Sequence, residues 1–373
     1  MPHIPVSCPS GNHEFWYSIS TPTSPNAKQI VPELPTVLFI HSGYCASETF
    51  EAQFSDPRLR QFNLLAIDSL GHGGTRGTIG DQQYATKETA EDLRLVLDAL
   101  HLDKVHIFGL ANGGTIGLEL ASAYPERVLS LTICSPIPPT EPEEMIAGRM
   151  EVFNHWAVAH AQGPDSTLGE QVSRARKEMV NEVATGAMQL LFGFDRSPLE
   201  EALRKYALRR DLDIWWGSPE KLKQCFDAGI RWFTERSWLT QESLSKVQCA
   251  VHIIHCSEDV GYPYETAQEM EKSLQDAGVR VSLSQVHGAH YGVLTNGEEI
   301  NAILRDQVLE VADPKTPLPQ ADFPCGRMRT PWTDNFRRFG WLPGPPDTDD
   351  NSDSESDYYP GWIYRDTQTI VES

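Results

Sequence analysis

The chain's sharpest chemical feature is the run Gly109-Leu110-Ala111-Asn112-Gly113-Gly114. It follows the apolar run KVHIF and precedes TIGLELASAYPERV, whose spacing predicts a helix ending before Pro125. Small residues two before and two after the centre permit a tight strand-to-helix bend that holds the central side chain up at the strand end. This is the nucleophile-elbow pattern G-x-S-x-G, with Ala111 where the serine would stand. Asp259 follows the apolar run VHIIHC, and His290 lies beyond VRVSLSQV. An acid that orients an imidazole, and an imidazole that moves a proton, are the other parts such a centre needs. Elbow, acid, then histidine is one particular chain order of that arrangement. An isolated Asp after a strand is most often a turn or helix cap, and an isolated loop His a solvated group. Their succession at strand ends favours the catalytic reading. His41-Ser42-Gly43-Tyr44 closes the run PTVLFI, and there the N–H of Gly43, together with that of Asn112, can face a developing oxyanion.

The elements that must position these residues alternate along the chain. Residues 14–20 read as extended and a Pro/Ser/Thr loop follows. PTVLFI, NLLAI, KVHIF, VLSLTIC, VHIIHC and VRVSL read as buried strands, with KETAEDLRLVLDALHL, PYETAQEMEKSLQDAG and NGEEINAILRDQVLEVA as helices between or after them. Apolar strands alternating with helices predict a parallel sheet covered on both faces, an α/β fold. The alternation stops at Ile137 and resumes after residue 245. The stretch between holds helical patterns, many charges and Trp156, Trp215, Trp216, Trp232 and Trp238. The expected division is a core of 1–136 and 246–312, a helical cap of 137–245, and a Pro-rich then acidic extension of 313–373. Within that extension DTDDNSDSESD has no apolar residue and is expected to be disordered. Ser352 and Ser354, each with an acid three residues later, could accept phosphate there; a plain solubilising end is the alternative.

Other chemically capable side chains have blander readings. Asp68 and His72, in DSLGHGG, are expected to shape a turn. Cys134, Ser135 and Cys256 lie at strand ends but outside the elbow, and are expected to be structural. The seven cysteines are scattered, odd in number and without a C-x-x-C pair, which argues against a disulfide framework or zinc site and fits a reducing, cytoplasmic setting. No Gly-rich dinucleotide fingerprint or metal-ligand spacing occurs, so neither an organic cofactor nor a metal is expected. Lys and Arg number 31 against 52 Asp and Glu, a net charge of −21. Such a chain repels phosphate backbones, so the expected partner is a small molecule rather than nucleic acid or membrane. Oligomeric state is not encoded in any pattern found.

HSGY, DSLGHGGT, GLANGGTIGLELASAYPERV, CSED and VHGAHYG, in this order and spacing, resemble the α/β-hydrolase superfamily over residues 14–312. The resemblance implies an eight-stranded, mostly parallel sheet with a helical cap after the sixth strand, roofing a substrate pocket. The cap tryptophans can line that pocket or form the cap's own core. The sequence is also similar to fungal cytosolic members of the superfamily, some of which serve natural-product metabolism.

Ala111 departs from the family pattern and leaves three explanations. The chain is a serine hydrolase (an esterase-like enzyme) whose nucleophile is replaced by alanine. Or His290 and Asp259 act as a general-base pair in a lyase, isomerase or cyclase without a covalent step. Or the protein is a non-catalytic binding or scaffold relative. The retained His and Asp count against the last. The expected substrate is a neutral or largely apolar ester, lactone, thioester or β-dicarbonyl compound. The expected geometry has His290 bonded to Asp259 and facing Ala111 Cβ, with the Asn112 and Gly43 N–H groups converging beside it.

Overall fold

A computed structural model of the chain describes residues 2–161, 170–193, 197–312 and 326–342, together with 316, 318 and 319. Eight strands form one sheet: β1 (His3–Cys8), β2 (Gly11–Ser20), β3 (Thr36–Ile40), β4 (Asn63–Ile67), β5 (Val105–Leu110), β6 (Val128–Cys134), β7 (Ala250–Cys256) and β8 (Val281–Val286). Their spatial order is β1-β2-β4-β3-β5-β6-β7-β8. The β1–β2 and β2–β4 pairs are antiparallel, and every pair from β4 to β8 is parallel. Every residue of β3, β4 and β5 is buried, because helices cover both faces and leave no wet side for a polar alternation. The chain order reverses around β3, which opens a crevice beyond the carboxyl ends of β3 and β5.

β1 is the one strand that the sequence pattern does not announce. It is a short edge strand carrying Pro5, opposite Glu14. An edge position tolerates the missing N–H of proline, but the same proline hides the strand from pattern.

The segment between β6 and β7 is helical, with helices Glu143–Ala161, Glu170–Phe192, Pro198–Trp215 and Pro219–Phe226. Two of these have starts legible in the sequence. Ser197 Oγ accepts from the N–H of Glu200 while Glu200 accepts from the N–H of Ser197, and Ser218 Oγ accepts from the N–H of Lys221. Each is followed by proline at the first helical position, where a missing N–H is harmless. The cap is bonded to the core. Trp215 Nε1 donates to Gly71 O at 3.1 Å, and the Gln224 side chain pairs with the backbone of Ile79. Arg210 reaches Asp68 at 3.4 Å.

Residues 326–342, where no element was expected, pack on both layers. Trp332 and Phe336 are fully buried; Trp332 meets Phe54 of the core and Phe336 meets Tyr206 of the cap. Thr330 and Thr333 both donate to the Glu51 carboxylate. The acidic run 347–357, with Ser352 and Ser354, lies outside the described residues. Among the described residues, no helix is long and apolar enough to cross a membrane.

Candidate active site

β5 ends at Leu110 and the helix Asn112–Ala123 begins one residue after Ala111. The turn between them requires its glycines. A Cβ on Gly109 would collide with the backbone of Gly113, and one on Gly113 with the carbonyl of Ile40. Ala111 itself sits at φ 50°, ψ −115°, with its N–H bonded to Cys134 O at 2.8 Å. Such a backbone costs a residue with a Cβ about 1–3 kcal/mol, and strain of this kind gathers at functional sites. Tyr44 and Ser135, just beyond β3 and β6, are also left-handed, at φ 64° and 55°.

Asp259 lies in the turn after β7. Its Oδ1 accepts the N–H groups of Gly261 and Tyr262, each at 2.9 Å, and its Oδ2 lies 2.6 Å from His290 Nδ1. Both side chains are buried, Asp259 completely and His290 to within 6%. Burial pushes the Asp259 carboxyl up, but the facing imidazole and the two N–H groups outweigh it and hold it below the ordinary carboxylate range. An ionised Asp259 makes Nδ1 the protonated nitrogen of His290 and leaves the Nε2 lone pair free.

The loop after β3 is pinned from several sides. His41 donates from Nδ1 to Ser42 O at 2.7 Å while Nε2 accepts the Ser69 N–H at 2.9 Å. This pattern needs a neutral ring, and burial does lower its pKa. Ser42 Oγ donates to Asn112 Oδ1 at 2.5 Å, and Tyr291 Oη donates to Gly43 O at 2.8 Å. The N–H of Asn112, in the first turn of its helix, has no partner within that helix. Gly43, Ala111 and His290 line one cavity, whose remaining wall comes largely from the cap and includes Arg149, Leu191 and Phe233.

The other residues singled out in the sequence stand elsewhere. Asp68 accepts from Ser47 and from the N–H of Gly74, and so shapes its turn. His72 packs between His41 and Trp215, and burial together with His41 lowers its pKa to about 3. Ser135 donates to His290 O at 2.5 Å and lies 3.5 Å from Cys256 Sγ, behind the histidine rather than in the cavity. None of the five cap tryptophans lines the cavity at Ala111; Trp156 and Trp215 line a second, apolar cavity, with Tyr44 in the wall of both. Sequence reasoning misses Arg149 and Tyr262 and gives Tyr44 no role beyond its turn; an arginine inside a charged helix has no mark that separates it from a solvated one. Among the described residues, no three His, Cys, Asp or Glu side chains are grouped to hold a metal ion.

The family model described as alpha/beta hydrolase fold matches residues 35–172. A Bacillus subtilis (strain 168) protein provisionally named 2-succinyl-6-hydroxy-2,4-cyclohexadiene-1-carboxylate synthase is 38% identical over 85 residues, 23% of this chain and 31% of that protein. A Caulobacter sp. (strain K31) protein provisionally named carbamate hydrolase RutD is 22% identical over 274 residues, 71% of this chain and 87% of that one. The enol-lactonase of Burkholderia xenovorans LB400 matches in structure with a TM-score of 0.60 at 13% identity, over 83% of this chain and 100% of the other. The chain spans between 26% and 36% of the length of several curated relatives, the Bacillus protein among them. Strand order, the helical insertion after the sixth strand, the elbow and the family match agree: the chain has the α/β-hydrolase fold.

Proposed function

We propose that the protein is an enzyme acting on a small carbonyl compound, an ester, lactone, thioester or β-dicarbonyl, with His290 as general base and no acyl-enzyme. One observation carries this reading. His290 is held by ionised Asp259 at the wall of a cavity whose elbow residue, Ala111, offers no attacking atom. With an ester or lactone, Nε2 takes a proton from water as the water oxygen attacks the carbonyl carbon. The imidazolium then returns that proton to the leaving oxygen as the C–O bond breaks. With a β-dicarbonyl compound, Nε2 takes the proton of the carbon between the carbonyls and leaves an enolate. In either case negative charge develops on a carbonyl oxygen, which the N–H groups of Gly43 and Asn112 would receive. The names of the relatives support both branches, since they include a synthase as well as a carbamate hydrolase and an enol-lactonase.

A second reading, a serine hydrolase lacking its nucleophile, is supported by the backbone of Ala111, which keeps a strained conformation at the wall of the cavity that His290 also lines. Turnover by the chain with Ala111, by Ala111→Ser and by His290→Ala on 4-nitrophenyl esters, lactones and β-diketones separates the readings. General-base chemistry requires activity with Ala111 that His290→Ala abolishes. The serine reading requires a gain of orders of magnitude in Ala111→Ser. Flat activity in all three would point to a binding protein.

A further inference from the structure

Arg149 enters the Ala111 cavity from the cap helix Glu143–Ala161 and is 7% exposed. Its guanidinium lies on the face of Phe233, 3.4 Å from the ring centroid. Nε donates to Glu141 Oε1 at 2.8 Å, and Nη2 reaches Tyr262 Oη at 3.5 Å. Nη1 is buried and has no hydrogen-bond partner among the described residues. The Tyr44 hydroxyl, in the same wall, is buried beside this guanidinium, which offsets part of its burial, and makes no well-aligned hydrogen bond among the described residues; Arg149 Cζ lies 5.5 Å from the Tyr44 ring centroid.

Glu141 does not neutralise this arginine alone. Its Oε1 also accepts from Tyr262 Oη at 2.9 Å, and its Oε2 accepts from Arg236 Nη1 at 2.7 Å. Two buried guanidinium groups therefore share one buried carboxylate. Asp259, behind the cavity residues Gly261, Tyr262 and His290, is taken up by that histidine and two N–H groups. An unpaired buried donor on a cation is expensive, and Arg149, Arg236 and Glu141 by themselves carry one net positive charge.

We infer that Arg149 Nη1 and Tyr44 Oη form an anchor for a carboxylate, so that the substrate is a carbonyl compound bearing a free carboxylate group. The inference rests on the Ala111 cavity being the reaction site. It narrows the substrate class beyond a neutral, apolar compound. Arginine suits the role because its fixed fork stays charged while Nε and Nη2 are already held, so the third nitrogen is oriented before the ligand arrives. Tyr44 adds a hydroxyl from the loop after β3, in the wall of the same cavity.

Isothermal titration calorimetry on the chain with Ala111 in place tests this without requiring turnover. The probes are levulinate and benzoylpropanoate, each compared with its primary amide, which keeps the size and removes the charge. At least one acid is expected to bind about tenfold or more tightly than its amide. Tyr44→Phe, which keeps the ring, should cut that preference several-fold, and Arg149→Met should remove it. Arg149→Met also disturbs the Glu141 pairing, so Tyr44→Phe carries the test should that variant fail to fold. Acids and amides binding alike, no acid binding at all, or a preference untouched by Tyr44→Phe would each overturn the carboxylate anchor. Such a result leaves the general-base reading standing, because that reading is decided by turnover in His290→Ala.

Discussion

Tyr291 Oη donates to the carbonyl oxygen of Gly43 at 2.8 Å, joining the residue after the candidate base to the loop after β3. The same tyrosine donates its backbone N–H to Leu191 O at 2.8 Å, on a cap helix, and packs edge-on against Phe192. One residue thus fixes the histidine loop, the candidate oxyanion loop and the cap relative to one another. Tyr291→Phe keeps the ring and the backbone bond and removes only the link to Gly43. We expect kcat to fall about tenfold with KM nearly unchanged, since the lost order bears on charge that develops during reaction. Steady-state kinetics on whichever substrate the protein turns over, beside a melting curve within a few degrees of the parent, would check this.

Asp259→Asn should be more damaging. The amide oxygen can keep the N–H groups of Gly261 and Tyr262, which turns the NH2 group toward His290 Nδ1. Nδ1 must then accept, the ring proton moves to Nε2, and the base is lost. The expected fall in kcat is about 10³- to 10⁴-fold, with the fold retained. Retention of more than a tenth of the activity would show that His290 does not depend on this carboxylate.

Glu51 predicts a pH effect on stability. Burial raises its carboxyl from near 4.5 to about 8, only partly countered by Thr330, Arg327 and Thr333. Between these values the unfolded chain is ionised while the folded chain holds a proton. The folded state binds more protons, so stability from this group is present below about pH 4.5 and is lost as pH rises through about 8. Glu48, raised by burial to about 7, acts in the same direction. Glu51→Gln should therefore lose Tm less steeply than the parent between pH 5 and pH 9, by a few degrees. Parallel curves in differential scanning calorimetry would refute the assignment.

The elbow glycines predict a contrast. Gly113→Ala forces a Cβ onto the carbonyls of Ile40 and His41, which cannot move without displacing β3. A loss of about 3 kcal/mol or more is expected. Gly186→Ala, in the cap helix Glu170–Phe192, meets nothing within 4 Å and should gain about 0.5–1 kcal/mol from helix propensity. Urea unfolding of both proteins reads the two signs directly.

Sequence alone determined the parts of this protein whose rules are local. Strands such as Asn63–Ile67 and Val105–Leu110 are mostly apolar because both faces of the sheet are covered, and helix starts such as Ser197-Pro198 carry their own caps. The bend at Gly109–Gly113 is equally local, so the position of Ala111, and the order in which Asp259 and His290 follow it, are legible in the residues themselves. Only the tertiary structure decided what surrounds them. β1 depends on finding β2 as its partner. Residues 326–342 depend on a cleft between Phe54 and Tyr206, elements that lie far apart in the chain. Arg149 is indistinguishable in sequence from a solvated helix arginine; folding brings it onto Phe233, Glu141 and Tyr44 and leaves one nitrogen without a hydrogen bond among the described residues. Burial and long-range pairing set the charge state and orientation of such groups, and neither is a property of the neighbouring residues in the chain.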